Sequence, residues 1–115
     1  MGYSIGLYQD GKAVTVSAHQ EGSNIVVGCD DRAHMTVTYN YGPFFYEALD
    51  ADSGLRWLYN KSFWSVKERL EEAIAVLGTE RSDNYWDQHP GNAGHVLRVL
   101  YLWARQHPNA VFLGD

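Results

Sequence analysis

"HMTVTYNYGPFFYEALD", residues 34–50, sets five aromatics between Tyr39 and Tyr46, with Asn40, Gly42 and Pro43 among them. Its first half alternates with a period of two. Met35, Val37, Tyr39 and Tyr41 point to one side, and His34, Thr36, Thr38 and Asn40 to the other. The pattern predicts a strand with one packed face and one polar row, and a slip of one residue would exchange the two. Gly42-Pro43 ends the strand, because proline has no N–H to give the ladder. Phe44 and Phe45 can then fold back onto the Tyr39/Tyr41 side. After Pro43 the period becomes helical, with Phe45 and Leu49 four apart and Gly54 suited to a left-handed position beyond a short helix. The segment reads as a strand-to-helix corner whose aromatics are packing; a binding surface is the sharper alternative.

Upstream, the alternation repeats. Tyr3, Ile5 and Leu7 share one side of a strand, and Val14, Val16 and Ala18 one side of the next. Asp10-Gly11 between them is a two-residue hairpin signal, since both positions tolerate positive φ. "NIVVGC" at 24–29 predicts a further strand, so an antiparallel meander precedes the corner. Downstream, "SFWSVKERLEEAIAVLG" carries Phe63, Val66, Leu70, Ala73, Ile74 and Leu77 as one apolar helical stripe. Ser62, or Ser65 with Glu68, can cap its start, and Gly78 stops it. "NAGHVLRVLYLWARQH" predicts a last helix capped by Asn92 and ended before Pro108. Only His95, Arg98, Arg105 and Gln106 are polar after its first turn, so it belongs in the centre of the fold. "AVFL" at 110–113 predicts a short returning strand. The fold class expected is α+β in a single domain, residues 1–115. About four N-terminal strands form an antiparallel sheet, with two or three helices packed on one face and a short C-terminal strand.

The chain has 115 residues and a formal net charge of −5. All of that imbalance lies in residues 1–53, while 54–115 are neutral. Direct nucleic-acid binding is not expected, because no Lys/Arg cluster can neutralise phosphates. One cysteine, Cys29, excludes an internal disulfide. No basic segment followed by an apolar run opens the chain, and the longest unbroken apolar run, Val99 to Ala104, is far too short to span a bilayer. A soluble, cytoplasmic protein without a membrane partner is expected.

Chemistry has few candidates. "DNYWDQHPGNAGH", residues 83–95, offers Asp87, His89, Asn92 and His95 beside Tyr85 and Trp86. A helix N-terminus there presents N–H groups that can hold an anion; the plainer reading is a cap with a Pro-Gly turn. Metal binding is not expected. His89 and His95 do not share a helical face as an i, i+4 pair does, and the "DADSG" turn has Lys61 where a calcium loop needs its bidentate glutamate. Cys29 with His34 as base is the one nucleophile pair weighed, and Asp30 and Asp31 oppose a thiolate there. No Gly-rich phosphate loop or G-x-S-x-G elbow occurs, so neither a cofactor nor catalysis is expected.

At "VTYNYGPFFYEAL" and "YWDQHPGNAGHVLRVLYLWARQHPNAV" the chain resembles small uncharacterised proteins encoded by bacteriophages, prophages and some actinobacteria. The likeness rests on the "TYNY" strand end, Thr38 to Tyr41, and on the "NAG" start of the last helix, Asn92 to Gly94. It covers the latter two thirds of the chain; "IVVGCDDRA" is shorter than the connection the resemblance implies. The resemblance carries over no site and implies a phage-like context, where small acidic proteins act by binding a host protein. The leading expectation is therefore an interaction protein with a protein partner, an inhibitor of host defence being one version. The alternative is a small-molecule-binding domain or small enzyme using Asn40, Tyr41, Trp86, His89, Asn92 and His95, provided strand end and helix start converge. A homodimer formed through an exposed apolar side is the third.

Overall fold

The computed structural model describes residues 2–15 and 32–114. The strand expected at 24–29, with Val16, Ala18, Cys29, Asp30 and Asp31, lies outside them. The chain is α+β, as expected. β1 (Gly2–Gln9) turns at Asp10-Gly11 into β2 (Lys12–Ala13), and β3 (His34–Thr38) leads through a 3-10 turn (Tyr39–Tyr41) into α1 (Gly42–Ala48). A second 3-10 turn (Gly54–Leu58), α2 (Phe63–Leu77), α3 (Pro90–Gln106) and β4 (Val111–Gly114) follow. The hairpin turn has φ of 54° at Asp10 and 80° at Gly11, the left-handed pair its sequence calls for.

Among the described residues the sheet is not a sequential meander, because β1 pairs antiparallel with each of the other three strands. Ile5 and Gly6 pair with both β3 and β4, so those two strands occupy opposite edges of β1. Tyr8 pairs with both Ala13 and Val111, which puts β2 on the β3 edge, end to end with it. The reason is the returning C-terminal strand. Its apolar Phe112 sits on the core side of β1's free edge, and Tyr59 and Ser62 bridge to β4 beyond it.

One core joins sheet and helices. Tyr3, Ile5, Leu7, Met35, Val37 and Phe112 come from the strands. The α2 stripe of Phe63, Val66, Leu70, Ala73 and Leu77 is buried as its spacing predicts, with Ile74 at its half-buried margin. Each large apolar side chain so buried contributes about 1.5–3 kcal/mol. α3 is the most buried helix, with eleven buried residues. It meets the chain beyond α2 at backbone distance, since a Cβ at Gly94 would stand 1.7 Å from Gly78 O and one at Gly91 1.8 Å from Glu80 O. These glycines let the helix start close on the preceding loop.

Several local expectations are corrected. β3 ends at Thr38 and not at Tyr41: the Thr38 N–H goes to the Tyr85 hydroxyl (2.8 Å), and its own hydroxyl accepts from Asn40 N (3.2 Å). The alternation therefore stops. Met35 and Val37 are fully buried and His34 and Thr36 half-buried, but Thr38 is buried and Tyr39 exposed. Gly42 and Pro43 start α1, where a missing N–H costs nothing in the first turn. Gly54 is left-handed, φ 58°, yet it opens the second 3-10 turn, α1 having ended at Ala48. Ser62 holds the N-cap position of α2 without a side-chain cap bond. α3 starts at Pro90, with His89 as its cap: Nδ1 accepts from Gly91 N at 3.1 Å. Asn92 is thus in the first turn, and His95, expected on the polar side, is buried. Among the described residues no helix is long and apolar enough to cross a membrane.

Candidate functional site: an aromatic corner

The end of β3 and the start of α3 come together, and the segment between α2 and α3 is held between them. Tyr41, on the 3-10 turn, is buried and donates its hydroxyl proton to Tyr85 O. Tyr85 returns the contact, its hydroxyl accepting from Thr38 N, and its ring meets that of Tyr41 edge to face at 5.6 Å. Asn40 Nδ2 donates to Trp86 O at 2.9 Å. From the other side, buried Asn92 closes the loop on itself. Its Oδ1 accepts from Ser82 N (2.9 Å), and its Nδ2 faces Ser82 Oγ (3.1 Å), Asn84 O (3.3 Å) and Asp87 O (3.3 Å). A buried amide so fully used is a structural fastener.

Burial raises the Tyr41 hydroxyl pKa well above that of a free tyrosine, and the neighbouring Tyr85 adds to the shift. Burial also raises Tyr85, against the opposing Thr38 N–H. Both hydroxyls therefore stay protonated at neutral pH and serve as hydrogen-bonding groups, not as bases.

Over this frame sit aromatics that pack only on one side. Tyr39 is 43% exposed, Tyr46 40% and Trp86 58%. Tyr39 rests edge to face on Tyr3 at 4.8 Å, and Trp86 on Tyr85 at 4.8 Å. Tyr46 lies against Gly54, where a Cβ would come within 3.3 Å of its ring. The aromatics of the 39–46 stretch thus divide: Tyr41 and Phe45 are core, while Tyr39 and Tyr46 face water.

Each of the six candidate residues can be placed. Asn40, Tyr41 and Trp86 are joined through the loop as described; His89 caps α3; Asn92 fastens the loop; His95 is buried within α3. The strand end thus meets the loop before α3 through Asn40 and Tyr41, and the protein's own groups, mostly main-chain, take up the polar atoms named here. Depressions of about 310, 450 and 280 Å³ lie elsewhere, around Trp57 and Arg69, between α2 and α3, and beside Ser4 and His34.

The last of these contains a pair that sequence reasoning missed. Ser4 Oγ lies 2.9 Å from His34 Nε2. The signal was the register: His34 stands opposite Gly6, whose missing side chain leaves room for the imidazole to lean across to Ser4. Hydroxyl beside imidazole is a nucleophile–base pairing, but among the described residues no carboxylate bonds His34 to orient it. Asp50 of the "DADSG" turn accepts from Ser53 N (2.8 Å) and Asp52 N (3.2 Å), a local Asx turn. Among the described residues no group of three His, Cys, Asp or Glu could hold a metal ion. Comparison with protein-family models, curated proteins and solved structures gives no match, so the site stands on its geometry.

Proposed function

We propose that this chain is a cytoplasmic protein-binding module of the phage-encoded accessory type, and that it engages its partner through Tyr39, Tyr46 and Trp86. One observation carries the reading: three large aromatics are left half open to water on a corner whose backbone is tied down by Tyr41, Tyr85 and Asn92. Tyr and Trp are the residues that most often supply binding energy at protein interfaces, and rigid support lowers the entropy lost on docking. The acidic first half of the chain favours a protein partner with basic groups over nucleic acid. A component of a bacterial defence system is one partner such a surface would serve.

The small-molecule reading of the same segment draws on the convergence of Asn40 and Tyr41 with the 85–95 segment. It has the weaker support, since the Tyr41 hydroxyl, the Asn92 amide and His89 Nδ1 are each bonded within the protein itself.

Photo-crosslinking tests the proposal. Benzoylphenylalanine replaces Tyr39, Trp86 or, as a control, the exposed Val76 on α2, and each protein is irradiated in bacterial lysate. A common protein adduct from positions 39 and 86, absent from 76, is expected. Adducts at 76 alone, or none at 39 and 86, would count against the corner.

A further inference from the structure

Ser4 and His34 stand on the face of the sheet turned away from the core. Tyr3, Ile5, Met35 and Val37 are buried on the other face, and strand alternation turns their neighbours outward. In the β1–β3 register Ser4 pairs with Thr36 and His34 with Gly6, so serine and imidazole are diagonal neighbours. The bare Gly6 brings them within reach. A Cβ there would stand 3.2 Å from His34 Cδ2 and 3.0 Å from Tyr8 Cε1, so both rings lean over the glycine. Packing of this kind, in place of a carboxylate, sets the imidazole with Nε2 2.9 Å from Ser4 Oγ. The strand beneath is fixed from the β4 side, the Tyr59 hydroxyl donating to Ser4 O at 3.3 Å. A depression of about 280 Å³ opens over the pair, lined by Ser4, Tyr8, His34, Leu113 and Gly114. That lining contains no carboxylate, lysine or arginine.

We propose that Ser4 is a nucleophile with His34 as its general base, and that the pair cleaves esters of short, uncharged acyl groups. The two side chains meet at the separation general-base activation requires. Leu113 and the lack of a charged lining side chain suit a neutral acyl group, and the size of the depression keeps it short. The alcohol must be a good leaving group such as a phenol, because among the described residues no carboxylate assists the imidazole as in a triad. In the first half-reaction Ser4 Oγ attacks the ester carbonyl and its proton passes to His34 Nε2. The bond to the alcohol oxygen then breaks, and that oxygen leaves with the proton from His34. Water, giving a proton to the same nitrogen, attacks the acyl-serine; the acid departs and Ser4 Oγ recovers its proton. Ester and water become acid and alcohol, with no change of oxidation state. Tyr8 carries the one other side-chain hydroxyl of the lining and is the donor available to the carbonyl oxygen as it gains charge. The site uses no residue of the aromatic corner and does not depend on that reading.

p-Nitrophenyl acetate tests it on the full chain, with release of p-nitrophenolate followed by absorbance and the acetyl group located by mass spectrometry of peptides. Wild type should give a burst of p-nitrophenolate matched by acetylation of Ser4, then slower turnover. Ser4→Ala should lose the burst together with the label at that position. His34→Gln can still hydrogen-bond the serine but cannot take its proton, and should slow acetylation at least about a hundredfold. Circular dichroism confirms folding. If the His34 variant does not fold, Ser4→Ala decides alone, since it removes a single oxygen from a strand residue. Wild type that is not acetylated, acetyl groups on lysines only, a burst that survives in Ser4→Ala, or one unchanged in folded His34→Gln would each overturn the proposal.

Discussion

Tyr41 donates its hydroxyl proton to the main-chain oxygen of Tyr85, so the turn that ends β3 grips the loop that leads into α3. The phenol is buried and the carbonyl belongs to a segment without regular structure. Tyr41→Phe keeps the ring and removes the bond, leaving one acceptor without its donor. We expect a loss of about 1–3 kcal/mol in stability. Hydrogen exchange in residues 82–89 should accelerate more than in α2, since the loop would open locally before the whole domain does.

The same burial makes an alkaline prediction. Tyr41, Tyr85 and Tyr3 all have pKa values raised above the ordinary 10.0, burial being the first cause in each case. In the unfolded chain these groups lose protons first, so above about pH 10 the unfolded state gains what the folded state cannot. This contribution is fully present below pH 10 and is lost as pH rises toward the folded values. Thermal midpoints of wild type should therefore fall above pH 10. Tyr41→Phe should fall less steeply, and equal slopes would contradict the assignment.

The two amides of the corner, Asn40 and Asn92, should behave oppositely. Asn40 is exposed with one loop contact, and Asn92 is buried with four polar neighbours. Asn40→Ala should cost under about 1 kcal/mol, and Asn92→Ala about 2–3 kcal/mol, because Ser82 N–H is then stranded. Urea titration of both proteins checks the ranking.

Gly94→Ala should be the most damaging small change. Its new methyl would sit 1.7 Å from Gly78 O, a backbone atom that no rotamer change can move aside. A loss above about 3 kcal/mol, or failure to fold, is expected from such overpacking. Gly11→Ala meets nothing within 4 Å and should cost only the strain of its left-handed φ.

These sites also show what was legible in the residues. Periodicity sufficed for Met35 and Val37, for the α2 stripe and for the returning strand, because each depends on local spacing and burial. It failed at Tyr39, where a tertiary bond from Thr38 N–H to Tyr85 ends the strand early. It failed again at Asn92, whose cap-like composition concealed a role set by the loop folding over it; Pro90 at the first helical position was the overlooked mark. The central place of β1 was invisible, since strand order depends on where the C-terminus returns. Convergence of Asn40 and Tyr41 with the 85–95 segment could be framed as a condition and read only from coordinates.

The most direct test of the corner pairs binding with stability in one double variant, Tyr39→Ala with Trp86→Ala. The two side chains are 43% and 58% exposed and pack on one side only, so the thermal midpoint should stay within about 5 °C of wild type. Retention of the cross-linked partner on the immobilised variant should drop at least about tenfold, as loss of two interface aromatics implies. A folded variant that retains the partner as well as wild type does would contradict the account.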